Sequence, residues 1–299
     1  MVKASAKSSK NNLMKKFFLL GTSVALLACQ QQSNNDLKEL YSLPKKLKEV
    51  SGITYFPKNN LIYTLEDSGN KNAIYALNSD GKLAKTITIT NATNVDWEDI
   101  TKDKNDNIYI GDFGNNDNER KDLCIYKVAK NELNKDMAVA EYKISFSYPE
   151  QTEFPPKKKE LFYDVEGFFE HGNYFYLFTK NRSKNFDGTV FIYKILNAPG
   201  TQKATRIGEF KTCDNYNHCV LTSATISPDG KKVVLLSHDK IVLFKDFKGD
   251  LFHKGTQTEI KLNHFSQKEA IVFKDNNTLL IADEKTNKVG GNVYEFKLK

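Results

Sequence analysis

The chain has a single tryptophan, three methionines and four cysteines among 299 residues, and no apolar run long enough to cross a bilayer as a helix. A helical span needs about 20 consecutive apolar residues, and the best candidate, Phe17 to Ala28 (FFLLGTSVALLA), falls short. Sustained amphipathic helical periodicity is also scarce; Lys130 to Ala138 is the best stretch, and it reads only as a polar connector. There is no Gly-x-Ser-x-Gly elbow, no His-Glu-x-x-His and no Walker loop, so the common hydrolase, zinc-protease and nucleotide signatures are missing. His218 beside Cys219 has no second pair to complete a tetrahedral zinc site. The formal charge of +7 is mostly a property of residues 1–28, which hold five lysines and no acid and leave +2 for the rest. Nucleic-acid binding needs a clustered basic surface. Lys157-Lys158-Lys159 is the only basic run in the body and reads as a solvated loop, so no nucleic-acid partner is expected.

What the sequence does have begins with an export signal. Met14-Lys15-Lys16 opens a positive segment, the apolar run follows, and Leu26-Leu27-Ala28-Cys29 closes it in a pattern that resembles the bacterial lipobox. Met14 is the better initiator, with residues 1–13 upstream of it. Residues 1–28 are therefore expected to be a lipoprotein-type signal, and Cys29 the acylated N-terminus of the mature chain. Several acyl chains on one residue anchor a protein stably, because each buried methylene contributes roughly 0.8 kcal/mol. The membrane is then a partner through lipid alone. Gln30, and not Asp, follows the Cys, so by analogy with that system the outer membrane is the expected location. Residues 29–36 read as a flexible tether, and 37–299 as one domain, expected to be monomeric.

Cysteine usage agrees with export. Cys213 and Cys219 would close a short loop in an oxidising compartment, and that disulfide is predicted; Cys124 lies in an apolar strand pattern and reads as a buried small hydrophobe.

The body is an internal repeat. Five units each open on a polar, small, apolar strand: Ser51-Gly52-Ile53, Glu98-Asp99-Ile100, Glu166-Gly167-Phe168, Ser223-Ala224-Thr225 and Glu269-Ala270-Ile271. After a turn comes a second strand rich in β-branched and aromatic residues, at 61–66, 107–112, 174–179, 233–237 and 279–283. Third strands recur at 74–77, 125–128, 192–195, 242–245 and 293–296, and fourth strands at 86–90, 141–146, 206–210 and 259–262. Units of four strands and roughly 45–65 residues match propeller blades. The fifth unit lacks a fourth strand, and residues 37–43 (LKELYSL) form a strand-like segment without another partner. The fold class is thus all-β: a five-bladed β-propeller whose N-terminal strand closes the last blade and leaves no open sheet edge.

In a propeller the first strands line the central channel, and the loops leaving the second strands share its mouth. The repeat therefore brings Ser51, Glu98, Glu166, Ser223 and Glu269 together with Glu66, Asp67, Asp112, Lys180, His238, Asp283 and Glu284. Several glutamates around a narrow axis repel one another unless they are compensated. A hard cation, pairing with Lys180, Arg182 or Lys285, or protonation of one glutamate would each do this. The metal-ligand candidates are Glu98, Glu166, Glu269 and Asp112, with calcium the expected ion. Glu66, Asp67, Lys180, Arg182, Asp283 and Glu284 are candidates for ligand binding, and His238 for a catalytic base. The loop Gly111 to Asn118 (GDFGNNDN) reads as a tight turn or a ligand loop, and Trp97 as packing between blades. The Pro-containing insertion at 147–162 is expected to cross the channel mouth.

Val50-Ser51-Gly52-Ile53, Asp96-Trp97-Glu98-Asp99-Ile100, Gly111-Asp112-Phe113-Gly114-Asn115-Asn116 and Val165-Glu166-Gly167-Phe168 resemble the signatures of SdiA-regulated and phytase-like or esterase-like propeller proteins, over most of residues 45–299. The resemblance implies a propeller, an exported location and calcium in the channel, and it carries over no catalytic residue. Two functions follow as expectations. The first is a lipid-anchored ligand-binding or scaffolding surface protein; the second is a calcium-dependent hydrolase of phosphate esters or lactones.

Overall fold

The computed structural model describes residues 37–287 and 289–299; the expected signal, Cys29 and the tether lie outside them. The described residues form five blade sheets around an axis, each with an antiparallel four-stranded core, and a two-stranded ribbon of Lys285–Thr286 with Val289–Gly290. From the axis outward, blade 1 is Val50–Phe56, Leu61–Glu66, Ala73–Leu77 and Leu83–Ile89, and blade 2 is Trp97–Lys102, Ile108–Asp112, Cys124–Val128 and Ala140–Ser147. Blade 3 is Asp164–His171, Tyr174–Lys180, Thr189–Leu196 and Thr205–Lys211; blade 4 is Ser223–Ile226, Val233–Leu236, Lys240–Lys245 and Thr256–Lys261. Blade 5 is Lys268–Phe273, Thr278–Asp283 and Asn292–Lys297, and its outer strand is Lys38–Ser42, antiparallel to Asn292–Lys297 with Lys38 opposite Glu295 and Ser42 opposite Asn292. The ring closes as the repeat predicts.

The hairpins between first and second strands turn sharply, and in four blades the turn holds a left-handed residue: Asn60, Asp106, Asn173 and Gly230. Asn, Asp and Gly tolerate that backbone where β-branched residues do not. The core is divided among five seams, one between each pair of neighbouring blades. Trp97 is fully buried in the seam of blades 1 and 2 together with Cys124, whose thiol burial pushes up to about 12. In the next seam Phe168 packs edge-on to Phe113 with centroids 5.1 Å apart. Cys213 and Cys219 are disulfide-bonded, with Cα atoms 5.5 Å apart.

Two details depart from the sequence reading. The stretch 130–138 is not a plain connector: Lys130–Asn134 is a short 3-10 helix, and Met137–Ala138 adds a parallel strand to the outer edge of blade 1. Gly200–Lys203 covers blade 2 in the same way. Each takes up backbone donors and acceptors that an edge strand would leave open.

The second departure concerns the axis. The inner strands of blades 1, 2, 3 and 5 carry β-bulges at Ser51, Glu98, Glu166 and Glu269, whereas blade 4 pairs without one, Ser223 lying opposite Leu236. A bulge inserts one residue and re-aims its side chain. Ser223 is therefore not equivalent to Ser51, as the sequence alignment has it. By register it is level with Gly52, Asp99, Gly167 and Ala270, the small residues that five converging strands require. A Cβ on Gly52 would lie 2.7 Å from the Cα of Asp99, and one on Gly167 would lie 2.3 Å from the amide of Ala224. Asp99 is the exception in this ring. Its carboxylate accepts from the Ile100 and Phe168 amides at 2.8 and 3.1 Å and from the Ser223 hydroxyl at 3.4 Å, which ties blades 2, 3 and 4 across the axis. Burial holds its pKa well above the usual carboxylate range.

Candidate functional site

The bulged glutamates open onto one mouth of the channel, where acids from several blades meet. Glu98, Glu166 and Asp164 each bring a carboxylate oxygen within 4.8 Å of the others. Asp164 is fully buried and Glu166 nearly so. Both are compensated. Arg182 donates through Nε to Asp164 Oδ2 at 2.6 Å and through Nη2 to Glu166 Oε1 at 2.8 Å, and Lys180 Nζ lies 3.0 Å from the same Glu166 oxygen. These carboxylates hold Lys180 and Arg182 in their charged forms against the burial that opposes it. The Asn115 amide donates to Asp164 Oδ1 at 2.7 Å.

Glu98 is different. The residue is mostly buried but its carboxylate reaches the open mouth, and it has neither a hydrogen bond nor an ion pair among the described residues. Burial first, then the charges of Glu166, Asp96 and Asp164, drive its pKa well above the usual range. Gly114 makes room for it: a Cβ there would stand 2.3 Å from Glu98 Oε1 and 2.4 Å from Asp96 Oδ2. The glycine in the Gly111 to Asn118 loop thus serves a close approach of backbone to two carboxylates.

Other predicted residues are placed around this cluster. Asp112 lies behind it, accepting from Arg120 Nη2 at 2.9 Å and from the Asp96 amide at 3.1 Å. Glu269 faces His238, whose Nε2 is 3.5 Å from Glu269 Oε1 and whose Nδ1 donates to the Asn217 carbonyl at 3.0 Å. Asn217 belongs to the disulfide loop, which also sends Tyr216 to Arg182, Nη1 donating to the phenol oxygen at 3.1 Å. Glu66 accepts from the Lys48 amide at 2.9 Å, and Asp283 is turned inward to the Asn292 amide and the Tyr294 hydroxyl at 2.8 and 2.9 Å. Asp67 and Glu284 stand half-buried on the side of blades 1 and 5. Burial, then Glu49 and Asp96, raises Asp67 to about 7; burial, then Glu269 and Asp67, raises Glu284 to about 8. The insertion at 147–162 reaches this face, where the Arg182 and Lys184 amides donate to the Leu161 and Lys158 carbonyls.

Three participants escaped the sequence reading. Asp96 and Asp164 stand two residues before Glu98 and Glu166, so an Asp-x-Glu pattern repeats in blades 2 and 3 and nowhere else at this position. That repeat was the available signal. Arg120, which neutralises Asp112, lies in a loop with no counterpart in the other units and left none.

No known family description matches the chain, and no curated protein does. Solved structures do. The PQQ-bound aldose sugar dehydrogenase of Streptomyces coelicolor superposes with a TM-score of 0.54 at 9% identity, over 88% of this chain and 98% of that one. Virginiamycin B lyase of Staphylococcus aureus, at 16% identity over 84% of this chain and 66% of that one, gives 0.41. At such identities the likeness shows the fold alone, and that fold is a five-bladed β-propeller.

Proposed function

We propose that the protein is an exported, lipid-anchored propeller of the SdiA-regulated type that binds its ligand at the acidic channel mouth with the help of a hard cation, calcium being the best fit. The supporting observation is Glu98, a mostly buried residue whose carboxylate has no partner among the described residues and is aimed at Asp164 and Glu166. Two oxygens on opposite sides of an ion at calcium's bond lengths lie about 4.6–5.2 Å apart, and the three carboxylate oxygens lie within 4.8 Å of one another. All are oxygen donors, as a hard cation requires. Burial and neighbouring acids disfavour the charged form of Glu98, and a bound cation would favour it, so the ion and the proton compete for this group. Lys180 and Arg182 already offset two of the acids, so the site would take one ion and keep cationic side chains beside it for an anionic group of the ligand.

Calorimetry and thermal melting of chelator-treated protein test this. Calcium is expected to bind and to raise the melting temperature, and Glu98→Gln to weaken binding at least tenfold. Absence of binding by any divalent ion, or unchanged binding in Glu98→Gln, overturns the reading.

His238 and Glu269 favour a second reading, calcium-dependent hydrolysis of phosphate esters or lactones. When bound, the ion would polarise the phosphoryl or carbonyl group. His238, oriented by the Asn217 carbonyl, would take a proton from water on Nε2 beside Glu269. Turnover abolished in His238→Ala with calcium binding intact would select this reading over simple binding.

A further inference from the structure

We infer that the opposite end of the channel is a second binding site, for a small neutral polyhydroxyl molecule of monosaccharide size. The inference stands apart from the cation and would survive its loss.

Past the ring at Gly52 and Asp99, the inner strands open into a cavity of about 420 Å³ to which all five blades contribute. This lies in the lower part of the roughly 300–1,000 Å³ range of small-molecule sites. Strand register places five equivalent residues on its wall. Thr54 lies opposite Tyr63, Thr101 opposite Tyr109, Phe169 opposite Tyr176, Thr225 opposite Val234 and Val272 opposite Leu280. Three of the five are threonines. The absence of a bulge in blade 4 is what brings Thr225 level with Thr54 and Thr101, an equivalence invisible to residue counting.

These threonines are unusual in one respect. Thr54 and Thr225 are 2% and 6% exposed and Thr101 is half-buried, yet none of the three hydroxyls has a hydrogen-bond partner among the described residues. Their oxygens are also absent from the fully enclosed polar atoms, so they face the cavity. Three hydroxyls without a protein partner therefore present both donors and acceptors to whatever fills the cavity. A hydroxyl both donates and accepts, so its complement is another group that does both.

Charge argues for a neutral ligand. The lining carries Lys102 and Lys104 against Asp103 and Glu170, two charges of each sign, beside His171, and Lys102 also pairs with Asp106 at 3.0 Å. Val272 and the inner edge of Phe169, whose ring packs in the seam of blades 3 and 4, supply apolar wall for the C–H face of a sugar ring, between hydroxyls that meet its edges.

The test is saturation-transfer NMR and thermal melting of the propeller with glucose, galactose, mannose and ribose, with phosphate and acetate as anionic probes. At least one neutral sugar is expected to bind in the millimolar range or tighter. Thr54→Val and Thr225→Val, which keep shape and remove the hydroxyl, are each expected to weaken it at least fivefold, while Glu98→Gln and chelator leave it unchanged. Binding of the anions alone, sugar binding indifferent to both valine variants, or no binding by any probe overturns the inference and leaves a water-filled vestibule.

Discussion

The two ends of the channel are built from the same five inner strands, only a few residues apart along each, and they differ in kind. One end presents Glu98, Glu166 and Glu269, and the other presents Thr54, Thr101 and Thr225. Asp99 lies between them, hydrogen-bonded across the axis. The bulge makes the difference. Where it occurs, one residue leaves the ladder and turns its side chain to the mouth; beyond it the strand resumes regular alternation, and the residues level with Thr54 and Thr225 border the lower cavity, Phe169 turning its ring into the seam. Blade 4 has no bulge and gives no carboxylate, but it still contributes its threonine.

Substitutions can pull these ends apart. The largest effect is expected where they share support: Phe168→Ala empties the seam of blades 2 and 3, should cost about 3–5 kcal/mol in denaturant unfolding, and should weaken both ends together. Equal loss confined to one mouth would show that the seams do not couple them. Gly114→Ala should act at the acidic end alone. Its Cβ would press on Glu98 and Asp96, costing about 1–3 kcal/mol and suppressing any calcium-induced rise in melting temperature, with threonine-end binding intact.

A smaller effect is expected from pH. Asp67 and Glu284 have pKa values raised to about 7 and about 8, so the folded state holds their protons more tightly than the unfolded chain. Their contribution is fully present below the ordinary carboxylate pKa and is lost as pH rises through about 7 and about 8. Metal-free protein should therefore melt lower at pH 8.5 than at pH 5, and Glu284→Gln should flatten the upper part of that slope by about 2–4 °C, the equivalent of roughly 1 kcal/mol. Melting curves across that range, with and without calcium, check it. The smallest effect is reserved for Thr101→Val, which is half-buried: under about 0.5 kcal/mol in stability, and less loss of sugar binding than Thr54→Val.

Much of the fold was legible because the repeat speaks through strand composition, which burial in the seams imposes five times over. Even the closing strand at Lys38–Ser42 could be read, from a missing fourth strand and an unpartnered segment. The acidic mouth was half legible. Glu98 and Glu166 follow from their place in the unit, but the cations that neutralise Asp164 and Glu166 define the site as much as the acids do, and pairing is a property of folded distances. The threonine ring was not legible at all. One residue of bulge in four blades and none in the fifth shifts the alignment, and only hydrogen-bond register reveals the shift.

The clasp in blade 5 also sets an order of events. Lys38–Ser42 is among the first segments of the propeller to be synthesised, and its partner Asn292–Lys297 is among the last. Contacts so distant in sequence are slow to form. Blades 1 to 4 can stack behind the ribosome while the earliest strand waits, so the ring acquires its final geometry, and both mouths their full complement of walls, in one late step.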